Sequence, residues 1–156
     1  ILNIVSRDTD GKLTISPDSL KLNLSRYLNE FRLISDAIDI IDTAIVNLKI
    51  FYGVRIDESS NSSLVIQKIN AAIKSYMLID NFQIDQTLSN IIINTQGVVG
   101  LVNFKITSLN GSVDGREYSD VSFNVAGSTD RGIIVPPQGS IFELKYPEDD
   151  IIGQAR

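Results

Sequence analysis

At 156 residues the chain is long enough to bury a core of its own without crosslinks, and with 43% hydrophobic and 21% charged residues it reads as globular rather than disordered. No Cys and no His occurs anywhere, which excludes disulfides, thiolate nucleophiles, imidazole bases, triad chemistry within this chain and nearly every zinc site. The net charge is −5, with 14 basic residues scattered among 19 acidic ones, and this argues against duplex nucleic acid as a partner, because phosphate contacts need clustered Lys and Arg.

"ILNIVSRDTDGKLTI" at the start reads as a strand, a turn at Asp8 to Gly11 and a short extended return. Leu2 and Ile4 flank Asn3 at strand spacing with no initiator Met, so the chain is expected to continue upstream of Ile1 in a longer protein. There is no signal-peptide pattern in these residues, and no apolar run approaches the roughly 18–20 residues of a membrane span. Ser16-Pro17-Asp18 predicts a helix start, with a capping hydroxyl, proline at the first helical position and an acid in the first turn. Leu20, Leu24, Tyr27, Leu28 and Phe31 follow at helical spacing and predict a core-facing stripe, with Arg26 and Glu30 paired on another face.

From Thr43 to Ile56 the β-branched and aromatic density predicts a strand long enough to cross a small sheet. The polar "DESSNSS" supplies the cap of a second helix whose buried stripe is Val65, Ile69, Ala72, Ile73 and Tyr76. A short third helix is expected around Leu88 to Ile93, ended by Gly97, before a strand "VVGLVNFKITSL" with Gly100 as its bulge. Asn110-Gly111 and Asp114-Gly115 are tight-turn pairs, and "VSFNVA", "GIIV" and 141–146 complete a meander. In the last of these, Phe142, Leu144 and Tyr146 alternate with Ile141, Glu143 and Lys145, the period of a half-buried strand, until Pro147 breaks it. The fold class is α+β: a small mixed sheet packed with two to three helices in a body over 1–110, followed by a β-rich arm and tail over 111–156.

The residues offer little chemistry. "DTDG" at Asp8 to Gly11 faintly resembles the opening of a calcium loop but lacks the later ligands, so a turn is the better reading. Asp36, Asp39 and Asp42 recur every third residue and read as a polar connecting face. Tyr27 and Tyr76 fall on helix stripes and read as core. Gly97 and Gly100 lack the companions of a phosphate cradle. The acidic cluster Glu148, Asp149 and Asp150 could supply paired carboxylates for sugar hydrolysis but reads better as a solvated or partner-facing charge run. A glycan-hydrolysing module would use Glu143, Glu148 or Asp149 as acids, while a glycan-binding module would need aromatic platforms, against which stand the lack of Trp and an aromatic content of 7%. No catalytic residue, cofactor or metal site is expected.

Four segments go further: "LNLSRYLNEFRLISDAIDIIDTAIVNLKIFYGV" over 22–54, "YMLIDNFQIDQ" over 76–86, "GVVGLVNFKI" over 97–106 and the closing "SIFELKYPEDDIIGQAR". Together they resemble the C-terminal part of the baseplate wedge subunit of T4-type contractile-tailed phages, a branch of the baseplate J-like family. The resemblance runs from about residue 12 to the end, is weakest over 107–135, and is most specific in the closing segment. Many J-like members carry Pro-Gly where this chain has Asn81-Phe82-Gln83-Ile84, which places it nearer the T4 branch. The resemblance implies a structural protein of the virion tail baseplate, assembled in the host cytoplasm, which forms the inner ring through homodimer contacts and contacts with other wedge proteins. It implies no catalysis and no cofactor, while the scattered charge and the short apolar runs are what argue against nucleic acid and membrane as partners. On that basis strand 141–146 is expected to pair within the β arm, with Phe142, Leu144, Tyr146, Pro147, Ile151 and Ile152 as the candidate interface.

Overall fold

The structure, a computed structural model, describes residues 1–31, 37–79 and 83–156. In chain order its elements are β1 (Leu2–Ile4), β2 (Ser6–Arg7), β3 (Leu13–Thr14), α1 (Asp18–Asn29), β4 (Ile40–Asp42), β5 (Ala44–Ile56), α2 (Ser62–Ile79), α3 (Thr87–Ile93) and β6 (Val98–Leu109). The C-terminal part follows with β7 (Ser112–Val113), β8 (Arg116–Glu117), β9 (Thr129–Asp130), β10 (Ile133–Ile134), β11 (Ser140–Glu143), α4 (Pro147–Asp150) and β12 (Ile151–Ala155). This is an α+β fold built on a small mixed sheet.

The β-branched run of β5 forms the central strand, with β6 antiparallel to it in the register Ile50↔Ile106 and Tyr52↔Phe104. Both β11 and β12 are parallel to β5, through Phe142↔Val46 and Ile151↔Ile50. Because Asn47 and the residues from Ile50 to Val54 already pair with β6 on one side, β11 and β12 share the other side as one interrupted edge strand. From Asn47 to Ile50, β5 advances three residues while the edge chain advances eight, from Glu143 to Ile151, and the excess is wound into α4. Pro147 opens that turn at a position where its missing N–H costs nothing.

This corrects the reading of the closing segment. The strand ends at Glu143, pairs with the body rather than within the arm, and is buried on both faces from Ile141 to Leu144. Alternation cannot distinguish a half-buried strand from one covered on both sides. Here Phe142 enters the main core and Ile141 packs with Leu13 and Ile45 beneath the β2–β3 hairpin.

The main core lies between one face of β5, formed by Val46, Leu48, Ile50, Tyr52 and Val54, and the helices, through Val65, Ile69, Ile73 and Met77 of α2 and Leu88 and Ile92 of α3. Asn61 caps α2 by accepting the Leu64 N–H at 3.2 Å. The Asp114-Gly115 pair turns the β7–β8 hairpin with both residues at positive φ, 51° and 78°. Arg131-Gly132 does the same between β9 and β10, with 51° and 79°.

Four expectations change. Ser16 is not the α1 cap: it is 2% exposed, its hydroxyl lies 2.8 Å from that of Ser6, and the helix opens at Asp18 without a side-chain cap. No residue of α1 is buried, and of its apolar stripe Leu24 and Leu28 are half-buried while Leu20, Tyr27 and Phe31 are left exposed by this chain's described residues. Gly100 pairs with Arg55, and the residues skipped in the register are Val99, between Val98 and Gly100, and Val102, between Leu101 and Asn103, which are 61% and 47% exposed. Residues 121–126 form no strand; Phe123 is instead a single plug against Phe142, with ring centroids 5.6 Å apart. Asp36, Asn81 and Phe82 lie outside the described residues.

Candidate functional site

Three elements converge around the turn that interrupts the edge strand. The β2–β3 hairpin brings Arg7, Asp10 and Lys12, α2 brings Lys74, Met77 and Leu78, and the closing segment brings residues 143–149; between them lies a cleft of about 290 Å³. The hairpin is shaped by Asp8, whose Oδ1 accepts the N–H groups of Asp10 and Lys12 at 2.9 Å, with Gly11 at φ 79°. That is a turn, and it uses the carboxylate to hold backbone.

Lys12 then reaches the closing segment, donating to the Lys145 carbonyl at 3.0 Å while its Nζ sits 3.8 Å from the Tyr146 ring centroid. Tyr146 meets the edge of Tyr118 at 5.5 Å and 87°, and its hydroxyl donates to the Glu117 carbonyl at 3.3 Å. The Tyr118 hydroxyl lies 3.0 and 2.9 Å from the two carboxylate oxygens of Asp150, which is 1% exposed. Burial, reinforced by Asp150, pushes the Tyr118 hydroxyl up to about 12.

Each acid that could serve hydrolysis is tied to a different element. Glu143, 6% exposed, accepts from the Leu13 N–H at 2.5 Å and the Asn47 side chain at 3.2 Å. Glu148 pairs with Lys74 at 3.0 Å and Asp149 with Arg116 at 2.7 Å. These bonds fasten the turn to the hairpins and to α2. Two exposed or half-exposed pairs of this kind contribute little energy each, so their role here is positional.

Burial raises the carboxyls of Glu143 and Asp150 above their ordinary range, with hydrogen bonds from Leu13 and Tyr118 respectively opposing it. A carboxyl whose folded value is raised binds its proton more tightly in the native state. Its contribution to stability is therefore greatest at low pH and is lost as pH rises from the unfolded value, about 4, through the raised one. Asp150→Asn, which keeps an acceptor for Tyr118, is expected to gain stability relative to the parent chain as pH rises through that window. Parallel stability–pH curves from urea denaturation would contradict the assignment.

Of the six interface candidates, Tyr146 and Pro147 line this cleft, Leu144 lines it and belongs to the core with Phe142 and Ile151, and Ile152 stands half-buried on the opposite sheet face. Sequence reading missed Tyr118, Lys12 and Asn47. Asn47 carried a signal, as the polar residue in "AIVNLKI", which is costly in a buried strand unless bonded. Among the described residues no three acids gather as a metal site, and no helix is long and apolar enough to cross a membrane. The arrangement can lock a chain segment and present a charged cleft. No protein-family model matches the chain, and no curated protein matches its sequence significantly.

Proposed function

We propose that the chain is a structural subunit of a contractile-tail baseplate wedge, part of the inner ring, joined to a second copy and to other wedge proteins, and without catalysis or cofactor. The observation that supports this most is α1. It is a 12-residue helix with an apolar stripe and no buried residue, and Leu20, Leu22, Tyr27 and, just beyond it, Phe31 are 48%, 53%, 59% and 69% exposed. Tyr27 and Phe31 meet in the open as a tilted pair, with ring centroids 5.1 Å apart and planes at 58°. Ile1, Leu2 and Ile41 are exposed as well. An isolated helix of this length is marginal in water, so an apolar stripe of which only Leu24 and Leu28 are half-buried argues for a partner that completes it.

On this reading the contact passes from Phe142, Leu144 and Ile151, which this chain's own core uses, to α1. Tyr146, Pro147 and Ile152 stay available for a wedge partner. The acids of the glycan-hydrolysing alternative are occupied in fastening the turn, which favours assembly over hydrolysis.

Light scattering across a concentration series tests the contact. The parent chain is expected to dissociate from dimer to monomer on dilution, and Leu20→Ser, Tyr27→Ser and Phe31→Ser together are expected to give monomer throughout with an unchanged thermal midpoint, as for other exposed positions. Equal masses for both proteins would remove α1 from the contact. A fall of many degrees would show these side chains to be core.

A further inference from the structure

The sheet has a second face. Lys49, Phe51, Gly53 and Arg55 of β5 alternate with the core residues and point away from α2 and α3. The register sets Thr107, Lys105, Asn103 and Gly100 of β6 on one side of them and Ile152 and Gln154 of β12 on the other. Arg55, Asn103, Lys105 and Gln154 are exposed, while Lys49, Phe51 and Ile152 are half-buried. Neither Phe51 nor Ile152 packs on either core cluster of the described residues.

In a chain of net charge −5, every charged side chain these strands place on this stretch is a cation. None of Lys49, Arg55 and Lys105 has an ion pair among the described residues, whereas Lys21, Lys74 and Arg116 are each committed to a carboxylate. Asp150, close enough for Lys49 to act on it, is buried and bonded to Tyr118, and the exposed Asp57, two residues beyond Arg55, accepts from the backbone and hydroxyl of Ser59. Lys49 Nζ stands 5.3 Å from the Phe51 ring centroid, so the apolar centre and the charge are contiguous.

We infer that this face, an apolar centre of Phe51 and Ile152 rimmed by Lys49, Arg55 and Lys105, docks an acidic amphipathic segment of a partner protein. The segment lays an apolar side chain on the centre and turns its carboxylates to the three cations, the arrangement of a small interface with a dry core and a polar rim. The chemistry favours a peptide over nucleic acid. The chain's net negative charge repels a long polyanion, and one aromatic offers no ladder for stacked bases. The face is built from strands to which α1 does not belong, so its test and that of the assembly contact fail independently.

The probe is a fluorescein-labelled ten-residue peptide alternating Glu and Leu, titrated by fluorescence anisotropy at low and high salt. Saturable, salt-sensitive binding is expected, with at least a tenfold loss in Lys49→Glu/Lys105→Glu and also in Arg55→Glu, a single change at an exposed position that keeps the test alive if the double variant unfolds. Lys68→Glu, exposed on α2, makes a charge change equal to that of Arg55→Glu and is expected to leave affinity within twofold. An equal loss in Lys68→Glu, no binding by the parent chain, equal binding of a Lys–Leu peptide, or tighter binding of a single-stranded oligonucleotide would each overturn the inference.

Discussion

Phe142→Ala is expected to lower stability by about 3–5 kcal/mol, the range for emptying an aromatic position in a sealed core. Phe142 is 0% exposed, sits at the register position of Val46, and takes Phe123 against its ring. Its removal takes away the aromatic neighbour of Phe123 and opens a cavity in the main core. Association should not change, because the side chain reaches no surface. Urea denaturation and light scattering on the same sample check both halves. A variant that unfolds normally but no longer associates would return Phe142 to the interface.

Gly153→Ala is expected to be nearly as damaging for a one-carbon change. A Cβ at position 153 would collide with the ring and hydroxyl of Tyr52, directly across from it on β5. Tyr52 cannot retreat freely, since it is 2% exposed and its hydroxyl donates to Asn70 Oδ1 at 2.6 Å, with the Ile66 carbonyl 3.4 Å away. Either β12 lifts from β5 or Tyr52 loses a buried hydrogen bond, at a cost of about 3 kcal/mol. In a chain of this size that is a fall of roughly 6–12 °C in thermal midpoint, read by circular dichroism. Tyr52→Leu should relieve the clash, so the double variant is expected to lose less than the two single losses combined. Full additivity would mean that the two residues do not meet.

The sequence announced those elements whose burial follows a simple period. β5 was legible from its β-branched density, α2 and α3 from Val65, Ile69, Ile73, Leu88 and Ile92, and the β7–β8 turn from Asp114-Gly115. The β11–α4–β12 edge was not, because parallel pairing is a long-range choice that leaves no local pattern and because both faces of β11 are covered. α1 shows the converse: its stripe told which residues are apolar and not what covers them. At the cleft, Glu143, Glu148 and Asp149 were visible as acids, but their significance lies in partners far along the chain. Asn47 stands 96 residues from Glu143, and Tyr118 stands 32 from Asp150. Without those partners a fastening turn and a catalytic cluster look alike.

The central claim, that this is a baseplate wedge component, is tested most directly by immunogold electron microscopy of contractile tails from the source of this gene, using antibody raised against the 156-residue chain. Gold is expected at the baseplate end of the tail, in a ring around its axis. Gold confined to fibre tips or the capsid, or tails that carry none while the antibody recognises the denatured chain elsewhere, would contradict it.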